Sequence, residues 1–181
     1  MTKKELRQAI KAQKALISES QKLVEETMTF TRIEQLDVFK RSQNILLYCS
    51  LPDGLPTRKT ISKWSKDKAI FLPRVNGMEL DIVRLSDDLK SNNPYNIDEP
   101  TGNAVSPEVL DLIVVPAVAL DCNCNRMGRG KGFYDRLLAT TGAYNIGVAL
   151  DCQLVDFVPI EPHDKQLDAV VTAHNIFFNK K

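Results

Sequence analysis

Asp111-Leu112-Ile113-Val114-Val115-Pro116, a loop from Ala117 to Gly128, and then Arg129-Gly130-Lys131-Gly132-Phe133-Tyr134-Asp135-Arg136-Leu137-Leu138 form the stretch that decides the fold. Its first six residues are a short β-branched apolar run closed by proline, the pattern of a strand buried on both faces. From Phe133 a helical pattern begins, and it stops near Gly142. Strand, glycine-rich loop and helix start make an α/β unit. The same order is a recurrent phosphate-binding arrangement, because the loop amides and the helix dipole both favour an anion.

Within that unit, Arg126-Met127-Gly128-Arg129-Gly130-Lys131-Gly132-Phe133-Tyr134-Asp135 carries most of the functional information. Three of the eight glycines stand at every second position, with Arg126, Arg129 and Lys131 interleaved. The whole chain has a formal charge of only +1, so this is a local concentration of cations. Glycines allow concave turns whose N–H groups converge, and flanking cations suit phosphate oxygens. Asp135 at the edge is placed to hold a metal bridging those oxygens, so the run reads as a site for a polyphosphate with Mg²⁺. It is not the Walker pattern, since Gly132 stands where Ser or Thr is required, and the G-x-G-x-x-G spacing is absent. The competing reading of the residues alone is a solvated basic turn with no ligand.

Outward from this unit, Leu6, Ala9, Ile10, Gln13, Leu16 and Ile17 keep helical spacing over about residues 3–18, with Lys3, Arg7, Lys11 and Lys14 on the basic face. A second helix is predicted from about Ser20 to Arg41, burying Leu23, Phe30, Ile33, Leu36 and Phe39. Asn44 to Cys49 reads as a strand, followed by a Pro52-Asp53-Gly54 turn. Thr57 is read as the N-cap of a helix carrying Ile61 and Trp64. Ala69–Leu72 and Leu80–Leu85 are predicted strands around an Asn76-Gly77 hairpin turn. Residues 91–108 read as a polar surface loop bordering the ligand. Tyr144–Leu150 and Ala169–Thr172 are the remaining predicted strands. Alternating strands and helices, without repeat or linker, predict one α/β domain over residues 1–181: a mostly parallel sheet covered on both faces. Ligands should bind beyond the carboxyl ends of its strands, where the loops after Cys49, Pro116 and Leu150 meet.

Composition narrows the function class. With 181 residues, 43 % hydrophobic and 26 % charged, the chain is long enough for a sizeable core. Its near-neutral balance argues against nucleic acid or a membrane surface as main partner. No run reaches membrane-spanning length and no secretion signal is read, which predicts a cytoplasmic location with reduced thiols. Cys122-x-Cys124 with His163 and His174 is a poor zinc pattern, because paired structural ligands usually stand two to four residues apart.

Asn125 to Arg136 resembles the signature of the 5-formyltetrahydrofolate cyclo-ligase family, which reads close to N-R-L-G-R-G-K-G-Y-Y-D, with Met127 and Phe133 as mild substitutions. Lys3-Lys4-Glu5-Leu6-Arg7 is similar to the family's basic N-terminal segment. Phe71-Leu72-Pro73-Arg74 and Glu79 to Arg84 resemble its central strand pair. Pro162-His163-Asp164 with Leu167 to Thr172 resembles its closing stretch. The resemblance implies a three-layer Rossmann-like fold of the ribose-phosphate isomerase and coenzyme A transferase type. It implies ATP- and Mg²⁺-dependent closure of 5-formyltetrahydrofolate to 5,10-methenyltetrahydrofolate by a monomer, with no protein nucleophile. On this resemblance Lys3, Lys4 and Arg7 bind the nucleotide together with Arg126, Met127, Gly128, Arg129, Gly130, Lys131, Gly132, Phe133 and Tyr134. Arg126, Arg129 and Lys131 are the catalytic cations, and Asp135 and Asp164 hold Mg²⁺. The resemblance places Leu51 and Tyr134 at the reduced folate, with Arg74 and Tyr95 as further candidates on the segments around it.

One place departs from the family. Relatives commonly carry acids after the first strand in a stretch like E-x-[DE]-T, whereas this chain reads Gly54-Leu55-Pro56-Thr57. Asp53 and Pro56 are therefore expected at the folate, with Asp53 reaching in from a turn that Pro52 and Gly54 allow. Two other classes compete with the enzyme: a non-catalytic folate or nucleotide binder, and a sugar-phosphate isomerase or transferase needing no ATP. The intact glycine-rich motif with both acids argues against them.

Overall fold

A computed structural model of the chain describes residues 1–85 and 100–180. Helices α1 (Lys3–Ala15), α2 (Glu19–Glu34) and α3 (Asp37–Arg41) lead into β1 (Asn44–Leu46) and α4 (Arg58–Trp64). The hairpin β2 (Ala69–Asn76) and β3 (Glu79–Arg84) follows, then β4 (Ala104–Val105) and β5 (Leu112–Pro116). A small hairpin, β6 (Ala119–Leu120) and β7 (Arg126–Met127), precedes α5 (Phe133–Leu138). Strands β8 (Tyr144–Val148), β9 (Ala169–Val171) and β10 (Ile176–Phe178) complete the elements used below.

Eight of the described strands form one sheet in the order β10-β9-β8-β5-β1-β2-β3-β4. The run from β9 to β2 is parallel, and the edges are antiparallel. The apolar run in β5 is explained by its central place between β1 and β8. Leu112 and Val114 enter the core cluster that holds Phe30, Ile33, Ile61 and Trp64 of α2 and α4. Ile113 and Val115 enter the opposite cluster, with Leu137 and Leu138 of α5. Two buried faces require apolar side chains at every position, which erases the alternation of a half-exposed strand. Connections leave β1 and β5 toward opposite edges, so the crevice between their carboxyl ends is the topological switch point.

Several sequence expectations are corrected here. The helix read over 20–41 is two helices, because Leu36 is extended (φ −76°, ψ 140°) and restarts the chain as α3. The break carries Phe39 against Trp64, at 4.6 Å between ring centroids, while Leu23 is left exposed. In α1 the inward residues are Leu6, Ile10 and Lys14; Ala9, Gln13 and Leu16 face solvent. Thr57 stands at the N-cap of α4 as expected, but its side chain makes no capping hydrogen bond. Its hydroxyl donates to the Tyr48 carbonyl at 2.6 Å, and the Glu26 carboxylate takes the Thr60 amide and hydroxyl, both at 2.9 Å. The loop from Ala117 to Gly128 contains β6 and β7, and the tail of the segment read as a loop over 91–108 contributes β4. Strand β10 was not foreseen. The Asn76-Gly77 turn is found as expected, with Asn76 opposite Glu79. Tyr95 lies outside the described residues.

Candidate active site: a cationic cavity at the switch point

The glycine-rich segment is shaped by three close approaches. Gly130 (φ +105°) and Gly132 (φ +70°) adopt backbone angles that L side chains rarely take. A Cβ on Gly128 would lie 2.9 Å from Arg126 Nη2, one on Gly130 3.4 Å from Arg7 Nη2, and one on Gly132 2.8 Å from Arg136 Nη1. Each glycine thus makes room for one guanidinium beside the main chain. Gly132 also precedes α5, so the loop runs directly into a helix start.

This segment walls a cavity of about 840 Å³. Lys3, Arg7, Arg126, Met127, Gly128, Arg129, Gly130, Lys131, Gly132, Phe133, Tyr134, Asp135 and Asp164, all expected at the site, line it together. Arg126 sits at its base. Its Nε donates to the Pro116 carbonyl at 2.7 Å, and its guanidinium lies 5.2 Å from the Tyr134 ring centroid. Burial lowers the Arg126 pKa, against the pull of Asp135, Tyr134 and Asp164, yet an arginine stays charged. Burial likewise pushes the Tyr134 phenol up, so it is a neutral donor. Lys131 is exposed and makes no hydrogen bond or ion pair with the described residues, leaving its charge for a ligand.

Helix α1 supplies the opposite wall. Thr2 and Glu5 form a reciprocal capping box that fixes its first turn. Lys3 and Arg7, one helical turn apart, both reach the cavity; Lys4 lies off that face, is exposed and does not line it. Arg7 Nε donates to the Gly128 carbonyl at 3.3 Å. Lys3 Nζ lies 3.0 Å from Asp164 Oδ2 and 3.4 Å from Glu161. Burial raises the Asp164 pKa, but the Glu161 amide and the Lys3 ammonium more than offset this and leave it lowered. Asp135 Oδ1 accepts the Lys165 amide at 3.1 Å, joining α5 to the segment that carries Asp164. Two carboxylates in one cavity fit a hard divalent cation completed by phosphate oxygens and water, although Lys3 would share Asp164 with it. No cluster of three or more His, Cys, Asp or Glu suited to a metal occurs among the described residues.

The residues expected at the folate are placed differently. Leu51, Asp53 and Pro56 do not line this cavity. Asp53 Oδ2 lies 2.8 Å from Lys14 Nζ and its Oδ1 3.5 Å from Arg129. Lys14, placed by the sequence on the basic face of the first helix, is buried and holds the Asp53 carboxyl below the usual range. Arg74 is bonded to Asp81 and to the carbonyls of Pro100 and Gly102. Sequence reasoning gave no role to Arg136, which lines the cavity and donates to the Met78 carbonyl at the β2–β3 turn. Its place as the next cation in the run was the available signal. Pro116, Ala117 and Val118 also line the cavity, as the strand-end rule requires, whereas no residue of the turn 151–153 after Leu150 lines it; Gln153 Nε2 donates to the Ala117 and Val118 carbonyls behind it.

Comparison with known proteins decides the lineage. The profile of the 5-formyltetrahydrofolate cyclo-ligase family matches residues 1–173. The chain belongs to that family. It is 27 % identical to the mouse 5-formyltetrahydrofolate cyclo-ligase over 187 residues, covering 93 % of this chain and 92 % of the relative. With the enzyme of Escherichia coli strain K12 the identity is 31 % over 147 residues, 75 % of this chain and 81 % of the relative. The NMR structure of 5,10-methenyltetrahydrofolate synthetase from Aquifex aeolicus superimposes with a TM-score of 0.86 at 31 % identity, covering 100 % of this chain and 94 % of that one. The mixed α/β fold with its large, mostly parallel sheet is thus shared with cyclo-ligases. Among the described residues, no helix of this cyclo-ligase family member is long and apolar enough to cross a membrane.

Proposed function

We propose that this chain closes 5-formyltetrahydrofolate to 5,10-methenyltetrahydrofolate at the expense of ATP, releasing ADP and phosphate, as a cytoplasmic monomer with a sheet of the ribose-phosphate isomerase and coenzyme A transferase type. The observation that carries this reading is the cavity that a glycine-rich loop, Lys3, Arg7, Arg126, Arg129 and Lys131 line together with Asp135 and Asp164. Family membership supplies the substrate class, through the activities for which the mouse, Escherichia coli and Aquifex relatives are named.

The formyl oxygen is a poor leaving group. It attacks the γ-phosphorus of ATP; the bond to the bridging oxygen breaks and ADP departs. N10 then attacks the activated formyl carbon, the carbon–oxygen bond breaks, and phosphate leaves as the N10 proton is lost. Such a reaction asks a protein for positioning and charge stabilisation. Amides of the glycine-rich loop and the Lys131 ammonium hold the transferred phosphoryl group. Arg126, fixed by the Pro116 carbonyl, presents its charge from the cavity base without reorganising. Asp135 and Asp164 would hold Mg²⁺, which when bound neutralises phosphate charge. Lys3 and Arg7 cover the nucleotide while Lys4, off that face, adds only charge at the start of α1; Met127, Phe133 and Tyr134 shape its pocket, and Leu51, Asp53, Pro56 and Tyr134 are assigned to the folate side.

The test is direct. Protein, Mg-ATP and 5-formyltetrahydrofolate should generate the methenyl chromophore in the near ultraviolet, with ADP formed only when the folate is present. ADP released without folate, or no chromophore with all three present, would refute the reading.

A further inference from the structure

Asp121 is completely buried, lines no part of the cavity, and has no role in the chemistry above. Its carboxylate nevertheless accepts four hydrogen bonds: from the amides of Asn123 (2.9 Å), Asn125 (3.0 Å) and Val158 (3.0 Å), and from Asn125 Nδ2 (3.2 Å). The partners belong to two segments far apart in sequence. A third is added through Asn125 and Asn123, because Gln166 Nε2 donates to Asn125 Oδ1 at 3.3 Å and to the Asn123 carbonyl at 3.1 Å. The Leu167 amide closes the junction on the Cys124 carbonyl at 2.9 Å. Cys124 itself stands at φ +63°, a conformation a non-glycine residue keeps only when its surroundings impose it.

These three segments are the roots of three cavity walls. Asn125 immediately precedes Arg126 and the glycine-rich loop. Gln166 follows Asp164 by two residues. Val158 packs with Leu6 and Ile10 of α1, the helix that carries Lys3 and Arg7. We propose that Asp121 is a positioning residue of the nucleotide site: its carboxylate sets the spacing between the Arg126 loop, the Asp164 segment and α1. The inference rests on the reading of the cavity as a Mg-ATP site. Asparagine in its place would turn an NH₂ group toward an amide donor, losing acceptor capacity at the centre of the junction.

The test uses four full-length proteins: wild type, Asp121→Asn, Gln166→Ala, and Ile33→Ala as a control that empties core volume on the opposite face of the sheet. Thermal melting, calorimetric titration with Mg-ATP in the absence of folate, and amide hydrogen exchange are measured on each. Outer partners of this kind alter affinity by about 10–100-fold. Asp121→Asn should weaken Mg-ATP by about tenfold or more and melt lower, and Gln166→Ala should weaken it by about threefold with little change in melting. Ile33→Ala should melt lower yet keep wild-type affinity. Exchange should quicken at Glu161 and Lys165, whose amides are bonded to Asp164 and Asp135, in the first two variants and not in the control. Equal losses of affinity in Asp121→Asn and Ile33→Ala would overturn the proposal. Should Asp121→Asn not fold, wild-type affinity and exchange in Gln166→Ala would overturn it. A wild-type protein that ignores Mg-ATP would instead refute the function, leaving the exchange pattern to decide the role of Asp121.

Discussion

The glycine-rich segment 126–136 and the turn 51–57 lie in the connections that follow the central strands β5 and β1, and they use their polar groups in opposite ways. In the first, each glycine admits a guanidinium and Lys131 stays unpaired among the described residues, so its charge is directed at a ligand. In the second, the polar groups are consumed internally: Asp53 by Lys14 and Arg129, Thr57 by the Tyr48 carbonyl, the Pro52 carbonyl by Lys22. A site built from local backbone shape is thus joined, through Arg129 and Asp53, to a turn whose shape is imposed by α1 and α2.

The comparison breaks most sharply at Lys131. Lys131→Ala should cut turnover on the order of 10²–10³-fold with unchanged melting, since a preorganised charge is lost and no packing. Methenyl formation and a thermal melt check it, and turnover within about threefold of wild type would remove Lys131 from catalysis. Next come Asp135→Asn and Asp164→Asn, each expected to raise the Mg²⁺ needed for half-maximal rate by about tenfold, through loss of one hard anionic oxygen. A magnesium titration that does not move for Asp164→Asn would leave that residue as the partner of Lys3 alone.

Asp53→Ala tests the other region. As the partner of buried Lys14 it should cost about 1–2 kcal/mol of stability, less than a fully buried pair because Asp53 is half exposed. A folate contact would instead raise the folate KM by about tenfold and leave both melting and the ATP KM unchanged. Denaturant unfolding with two-substrate kinetics separates these outcomes.

The smallest effect is one of pH. Asp164 has a depressed folded pKa, so its stabilisation is fully present above the unfolded value near 3.9 and is lost as pH falls through the folded one. The melting difference between wild type and Asp164→Asn should therefore hold constant from about pH 7 to 5 and shrink as pH falls below about 3.9. A difference that changes between pH 7 and 5 would mean another group titrates with the pair.

Sequence alone determined what depends on neighbours along the chain. The buried strand Leu112–Pro116, the Asn76-Gly77 hairpin, the start of α5 at Phe133 and the cationic run all follow from periodicity, turn chemistry and glycine spacing. The i, i+4 spacing likewise put Lys3 and Arg7 on one face of α1. Tertiary structure alone decided the rest. Lys14 is indistinguishable in sequence from a solvated lysine until Asp53 is brought 2.8 Å away, 39 positions along the chain. Glu26 caps a helix 34 positions away, and the hub at Asp121 gathers segments that no local pattern connects. The extended Leu36 that splits one long helical pattern is set by the packing of Phe39 on Trp64, not by a local breaker. Local rules report the energy of a residue with its sequence neighbours. Burial and charge pairing are properties of the folded whole, and only the fold reveals which polar groups they claim.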